Sequence, residues 1–177
     1  MERIEIYTSK KKSFLLLIIS IVFVLIGVWL LLESNKLSNL KAINPIYVHI
    51  LGFITSVLFF GIGVYISVKR LLKSELALII DPIGLNINPK KSLTDFIKWE
   101  EILGFEEIKI NSVKIVVIRV KNPESWLKKE TNTIRKKLMQ FNIYSYNSPF
   151  NISSSGLDIN SNKLNEKLNS YFEKYKN

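Results

Sequence analysis

The sequence predicts an α+β protein in which a two-helix transmembrane hairpin precedes a soluble domain. The domain is expected to be a β-barrel or sandwich of about seven short strands, with an inserted helix and a C-terminal capping helix. Three observations support this prediction: two long segments without charged residues, a series of short strand-like segments after them, and two stretches with helical periodicity. The chain therefore divides into a basic N-terminal tail (residues 1–13), the hairpin (14–68) and the domain (76–177).

The two uncharged segments are long enough to cross a membrane. Phe14–Leu32 has 19 residues and Ile46–Val68 has 23, and only 13 residues separate them. At ~1.5 Å per residue, a helix from either segment reaches about 28–35 Å, which matches a hydrocarbon core of about 30 Å. A buried core helix is the alternative, but such a helix is shorter and keeps a polar stripe, whereas Phe14–Leu32 is apolar all round. We therefore predict transmembrane helices at 14–32 and 46–68.

The basic residues next to these segments predict the orientation of the hairpin. The N-terminus could instead be a cleaved signal peptide. A signal peptide has a shorter apolar segment than Phe14–Leu32, however, and is followed by a small-residue cleavage site that this chain lacks. Only Lys36 and Lys41 lie in the intervening loop, against seven basic residues on the outer flanks, namely Arg3, Lys10, Lys11, Lys12, Lys69, Arg70 and Lys73. Because cytoplasmic flanks carry the excess of Lys and Arg, we expect a multi-pass protein of the bacterial inner membrane with both termini in the cytoplasm.

Small residues on the second segment indicate where the helices pack. Gly52, Gly61 and Gly63 leave one side of this helix with little side-chain bulk, although no strict G-x-x-x-G is present. Small residues let helix backbones approach closely, so this side is a candidate for packing on the first span or on a second copy in a homo-oligomer. His49, four residues into the segment, is interpreted as a headgroup-level side chain in preference to a proton relay.

Short strands follow the hairpin. The residues Asp81-Pro82-Ile83-Gly84 fit a type I turn and predict a β-hairpin around them. Alternating or β-branched residues define the individual strands, which are expected at Leu76–Ile80, Leu85–Asn88, Phe96–Trp99, Phe105–Ile110 and Val113–Lys121, with further strand-like pieces at Ile143–Tyr146 and Pro149–Ser153.

Two helices are predicted in the domain. Asn122-Pro123-Glu124 is a helix start signal, and we expect an inserted helix over Asn122–Phe141. Its apolar residues form one stripe that should be buried, namely Leu127, Ile134, Leu138 and Phe141. A last helix begins at Asn160 or Ser161, with apolar residues recurring every three to four positions. Seven short strands closed by a C-terminal helix is the plan of a pleckstrin-homology-like domain.

Several segments, in order, also resemble those of a small, functionally uncharacterised family of bacterial proteins that join two membrane spans to a pleckstrin-homology-like domain. The resemblance extends over nearly the whole chain, and the segments that carry it are Glu5–Lys12, Ile80–Leu85, Ile97–Ile102, Lys121–Glu124 and Pro149–Leu157. The Ile97-Lys98-Trp99-Glu100-Glu101-Ile102 segment and the turn are similar to the wider bacterial pattern, in which that tryptophan lies in an early strand. The resemblance implies an architecture and supplies no catalytic residue.

The composition argues against most reaction chemistry. The chain has no cysteine and one histidine, so a zinc site would need three carboxylates, and we expect no metal. No nucleotide- or cofactor-binding motif is present, so we expect no cofactor. The acidic pairs Glu100-Glu101 and Glu106-Glu107 are neighbours on strands and point to opposite faces, which is typical of solvated edges and not of catalytic acids. We therefore predict no catalytic residues and no enzyme activity.

The charge distribution and the anchor predict a binding function. The net charge is +10, and residues 1–75 and 76–177 carry +5 each, which suits anionic lipid headgroups and does not require nucleic acid. The expected protein is a membrane-anchored binding or scaffold protein whose cytoplasmic domain meets a protein partner or anionic lipid. The alternatives are an immunity or stress-response protein whose hairpin carries the activity, and an undetected enzyme.

The inserted helix leaves two interpretations open. Its stripe packs on the barrel and its lysines are solvated, or its basic side lies at the headgroups of the membrane that the hairpin occupies. In the second interpretation the membrane-contacting residues are Trp126, Lys128, Lys129, Arg135, Lys136 and Lys137.

Overall fold

The computed structural model of the chain describes residues 1–37, 47, 50, 54, 60–111 and 113–176. They form two compact units, a helical unit from Ser9 to Ser74 and a mixed α+β unit that combines Met1–Thr8 with the chain from Glu75 onward. The described α-helices are α1 (Lys10–Leu37), α2 (Gly61–Leu72), α3 (Pro123–Lys129), α4 (Thr133–Tyr146) and α5 (Ser161–Tyr175). The strands are β1 (Ile4–Tyr7), β2 (Leu76–Asp81), β3 (Gly84–Asn86), β4 (Ile97–Lys98), β5 (Ile102–Ile110), β6 (Val113–Val120) and β7 (Phe150–Ser153).

One helix in the described part of the chain is long and apolar enough to cross a membrane. This helix is α1, and its qualifying stretch is Lys10–Trp29, of which only 17 % is buried inside the protein. A core helix of a soluble protein would be mostly buried, so the exposure of α1 favours contact with lipid. About half of the predicted second span, 46–68, including His49 and Gly52, lies outside the described residues, and its described end forms the start of α2.

Small residues line the contact between α1 and α2. On α1 the buried positions Ser13, Ser20 and Gly27 recur every seven residues. A Cβ added to Gly63 of α2 would lie 2.7 Å from the Ser20 Oγ, so the two backbones approach closely at this point. Among the described residues, no atom lies within 4 Å of a Cβ added to Gly61. The seven-residue spacing on α1 is a packing signal that the sequence analysis missed.

The predicted N-terminal tail contributes a strand to the domain. β1 pairs antiparallel with β2, with Ile4 opposite Ile80, and forms the edge of a four-stranded sheet in the order β1-β2-β3-β4. The pairing continues beyond the strand, since the Thr8 N–H donates to the Glu75 carbonyl at 2.9 Å. Residues 1–13 are therefore not simply a tail, and the helical unit is inserted between two neighbouring strands of one sheet.

The predicted turn after β2 is present. The Asp81 carboxylate accepts a hydrogen bond from the Ile83 N–H at 3.0 Å, and Asp81 lies opposite Gly84 in the β2–β3 pair. A Cβ at Gly84 would lie 2.2 Å from the Ile97 carbonyl oxygen of β4, so only glycine lets the two strands approach this closely.

A second antiparallel sheet has the order β5-β6-β7. Val116, Ile118 and Val120 of β6 are all buried in the core, as the alternation predicts. The predicted strand-like piece at Ile143–Tyr146 is wrong, because these residues form the last turn of α4. The strand propensity of a four-residue segment is too weak to interrupt the helix that the preceding residues form.

Both sheets and α5 share one hydrophobic core. Trp99 is buried and its indole N–H donates to the Asp81 carbonyl at 2.9 Å. Aromatic rings of α5 pack on this side, with Tyr171 6.2 Å from Trp99 and Phe172 5.7 Å from Phe105 between ring centroids. The α+β prediction is confirmed at this level: two antiparallel sheets with helices, five of which lie in the described part of the chain.

Candidate functional site

The insertion between β6 and β7 is two helices and not the single helix predicted over Asn122–Phe141. Pro123 is the first residue of α3, as the start signal predicts, but Asn122 adopts a left-handed conformation (φ 48°) and its side chain makes no capping hydrogen bond. α3 ends at Lys129 because Glu130 is extended. The Asn132 side chain then accepts the Arg135 N–H at 3.0 Å and starts α4.

α4 is held to the domain by one side only. Met139 is buried in the core. The Asn142 amide donates to the Pro149 carbonyl at 3.2 Å and accepts from Asn151 at 3.0 Å. The Tyr146 carbonyl accepts a hydrogen bond from the Arg119 guanidinium of β6. These contacts fix which side of the helix faces the domain.

The opposite side of α4 is apolar and exposed. Its exposed fractions are 73 % for Ile134, 58 % for Leu138, 61 % for Phe141 and 91 % for Tyr144; we call these four residues the outer stripe. The prediction that the stripe is buried is wrong for Ile134, Leu138 and Phe141, and correct in part for Leu127, which packs against the core from α3. A helix with 100° between residues can turn only one face to the domain, and Met139 and its neighbours occupy that face.

Two of the predicted membrane-contacting lysines lie at exposed positions of α4; at 100° per residue, Lys137 lies beside the outer stripe and Lys136 lies on the flank between the stripe and the Met139 face. Lys136 and Lys137 are exposed, and among the described residues neither forms an ion pair. Lys128, on α3, is also exposed. The segment Thr133–Tyr146 contains no acidic residue, so positive charge accompanies the outer stripe along the helix.

The other predicted contact residues, Trp126, Lys129 and Arg135, lie instead around a cavity of about 160 Å³ with residues of the β3–β4 loop. The Lys129 ammonium lies 5.1 Å from the centroid of the Trp126 ring, whose edge packs on Phe150. The structure therefore separates the six predicted residues into an exposed lysine set and a cavity set.

Glu130 is the centre of the cavity set. Only 7 % of its side chain is exposed, and its carboxylate accepts the Asn132 N–H at 2.9 Å. The Arg135 guanidinium lies 3.4 Å from it, and the Lys91 ammonium lies 3.6 Å from it. The hydrogen bond from Asn132, followed by the two cations, holds the pKa of Glu130 below its ordinary value. These contacts of Glu130 connect the end of α3, the start of α4 and the β3–β4 loop.

Sequence reasoning missed Glu130 and Lys91. The one acidic residue within the basic stretch from Lys128 to Lys137 was the available signal for Glu130. No local signal marks Lys91, because the loop that carries it reaches the insertion only in the folded domain.

A second and larger cavity, of about 700 Å³, lies along β1 and α5. Its charged lining residues alternate in sign between Arg3, Lys163 and Lys167 on one hand and Glu2 and Glu166 on the other. Such a mixed lining does not select a ligand of one charge, so this groove does not define a specific site.

The acidic pair Glu106-Glu107 on β5 makes structural contacts, whereas Glu100-Glu101 lies in a 3-10 turn (Trp99–Glu101) and not on a strand as predicted. Glu106 pairs with Arg119, and the Glu107 carboxylate lies 2.7 Å from the Lys114 ammonium. Within the part of the chain that the structure describes, no group of three His, Asp or Glu side chains is placed to hold a metal ion.

Comparisons of the chain with protein families, with curated proteins and with solved structures found no match.

Proposed function

We propose that this chain is a membrane-anchored binding protein of the bacterial inner membrane that presents a pleckstrin-homology-like domain at the cytoplasmic face, where it binds anionic lipid. The observation that carries the proposal is the insertion of a helix long and apolar enough to cross a membrane between two paired strands of the domain. The activity is binding and not catalysis.

Short connections support a domain held at the membrane. Only Thr8 and Ser9 separate β1 from α1, and only Lys73–Glu75 separate α2 from β2. Three extended residues reach at most about 11 Å. A domain joined twice by such short connections stays at the surface of the membrane that α1 crosses.

The strand order supports the pleckstrin-homology-like assignment. A four-stranded and a three-stranded antiparallel meander follow one another, and a C-terminal helix packs on the core that both sheets share. This is the plan that the sequence pattern predicts, with α1 and α2 inserted after the first strand and α3 and α4 inserted before the last. Folds of this kind offer strand edges and loops for recognition, so we infer function from the surface of the domain.

Cysteine labelling in intact cells tests the anchor and its orientation, because the chain has no cysteine of its own. The two substitutions are Glu173→Cys, at an exposed position of the domain, and Ser38→Cys, in the loop that the basic flanks place outside. A membrane-impermeant maleimide should label position 38 in intact cells, and should label position 173 only after lysis.

The same membranes should retain the full chain after washing at alkaline pH. Release of the chain by the wash would contradict the anchor. Labelling at position 173 in intact cells, with protection at position 38, would place the domain outside and contradict the cytoplasmic assignment.

A further inference from the structure

We propose that α4 lies in the headgroup region of an anionic bilayer, with the outer stripe at the acyl boundary and Lys136 and Lys137 at the lipid phosphates. This inference rests on the proposed function, because it requires that the chain is anchored in that bilayer. It names the lipid-binding element of the domain and the chemistry of its ligand.

The exposure of the outer stripe requires a partner of some kind. Four large apolar or aromatic side chains follow one another along one helix face, each more than half exposed, while the opposite face holds the helix to the domain. Scattered apolar residues on a surface are ordinary, but a continuous stripe along a helix is typical of an interaction surface.

The size of the stripe favours a bilayer over a second protein. α4 has 14 residues and is therefore about 21 Å long, so a face about 10 Å wide covers roughly 200 Å². A stable protein interface buries about 800 Å² on each partner. A domain already anchored at the membrane needs little intrinsic affinity, because its effective lipid concentration is high.

The charge of α4 selects an anionic surface. Arg135 is paired with Glu130, which leaves Lys136 and Lys137 as the unpaired cations of this helix within the described residues. A helix that presents an apolar stripe beside lysines, and no acid, matches the pattern of helices that lie in the plane of an anionic interface. Tyr144, at 91 % exposure, adds an aromatic ring of the type enriched at headgroup level.

The test places a spin label on the outer stripe of the full chain. The chain is reconstituted with Leu138→Cys, or with Glu173→Cys as the control position, and the cysteine is labelled with a nitroxide. Bilayers of phosphatidylcholine alone are compared with an equal mixture of phosphatidylcholine and phosphatidylglycerol. Collisions of the nitroxide with oxygen, which dissolves in lipid, and with a water-soluble nickel complex report the depth of each position, and flotation reports anchoring.

We expect the label at position 138 to be accessible to oxygen and protected from nickel in the anionic bilayers, and the label at position 173 to behave as in water. Each lysine near an anionic surface shifts docking about fivefold, so the double substitution Lys136→Gln and Lys137→Gln should lower docking by about twenty-five-fold. The matched double substitution Lys109→Gln and Lys163→Gln removes the same charge from exposed positions outside α4 and should leave docking unchanged. Rising salt should release the helix.

Three results would overturn the inference while anchoring is retained: access of nickel to position 138 in the anionic bilayers, protection of position 138 from both reagents, or unchanged docking after Lys136→Gln and Lys137→Gln. Protection from both reagents would assign the stripe to a protein or to a second copy of the chain. Failure of the chain to float with the bilayers would instead contradict the proposed anchor itself.

Discussion

At the scale of single residues, Glu130 determines how the insertion is held. Its nearly buried carboxylate joins Lys91 of the β3–β4 loop to Arg135 of α4 and also accepts the Asn132 N–H that starts this helix. Hydrogen bonds to a charged acceptor are stronger than those between neutral groups. Glu130 thus holds the start of α4, while the contacts of Met139, Asn142 and the Tyr146 carbonyl hold the rest of the helix to the domain.

The substitution Glu130→Gln tests this role. The amide keeps the shape but leaves Lys91 and Arg135 without a countercharge, so we expect the free energy of unfolding at neutral pH to fall by about 1–2 kcal/mol. The pKa of Glu130 is lowered in the folded chain from its ordinary value of 4.5. The ionised Glu130 carboxylate therefore stabilises the fold at pH values above its unfolded-state pKa. This contribution is lost as the pH falls through the lower folded-state pKa.

Denaturant titrations of the full chain in detergent, followed by intrinsic fluorescence between neutral and acidic pH, measure this difference. The gap between wild type and Glu130→Gln should close as the solution becomes more acidic than pH 4.5. Glu100→Gln is the matched control, because that side chain is 64 % exposed. An equal effect of both substitutions at neutral pH would remove the special role of Glu130.

At the scale of elements, α1 and α2 show how two apolar helices find a register. In the proposed membrane anchor, neither helix has a hydrophobic reason to leave lipid for its neighbour, so close backbone approach at small residues would supply the attraction. Ser20 opposes Gly63 at this contact, and the Phe23 and Phe60 rings stack three residues away on each helix, 4.4 Å apart. The two helices therefore meet with small residues beside an aromatic pair.

The neighbouring glycines of α2 provide a matched comparison of packing. Gly63→Leu should separate the helices at an expected cost of about 1–3 kcal/mol, whereas Gly61→Leu should have little effect, since no atom of the described part of the chain lies within 4 Å of its added Cβ. Cysteines introduced at Phe23 and Phe60 allow disulfide formation to report the contact in membranes. Equal crosslinking in the two leucine variants would show that Gly63 does not set the helix contact.

At the scale of the whole molecule, the domain is assembled from two parts of the chain that the helical unit separates. β1 lies before α1 and pairs with β2 after α2, and Ile6 contributes to the common core. The two connections end close together, since the Glu75 N–H also donates to the Thr8 hydroxyl at 3.0 Å. The sheet is therefore complete only when both ends of the insertion are brought together.

A shortened chain tests this arrangement. Residues 76–177 alone lack β1 and expose the edge of β2, so we expect them to aggregate or to unfold without cooperativity. Residues 1–8 joined to residue 75 by Asn-Gly restore the strand through a tight turn and should unfold in one cooperative transition. Circular dichroism during heating compares the two chains, and cooperative unfolding of residues 76–177 alone would contradict the requirement for β1.

The sequence by itself determined the features that depend on neighbouring residues: the apolar length of α1, the Asp81–Gly84 turn, the alternation of β6 and the capping of α5 by Asn160. The tertiary structure decided the rest. β1 has only four residues and its partner lies some seventy residues later, so no local pattern shows that it belongs to the sheet. The sequence shows one apolar stripe on the insertion, but α4 turns Met139, Asn142 and the Tyr146 carbonyl to the domain instead, and Glu130 joins its start to Lys91 and Arg135. Contacts between distant segments thus decided which face of α4 is free to bind.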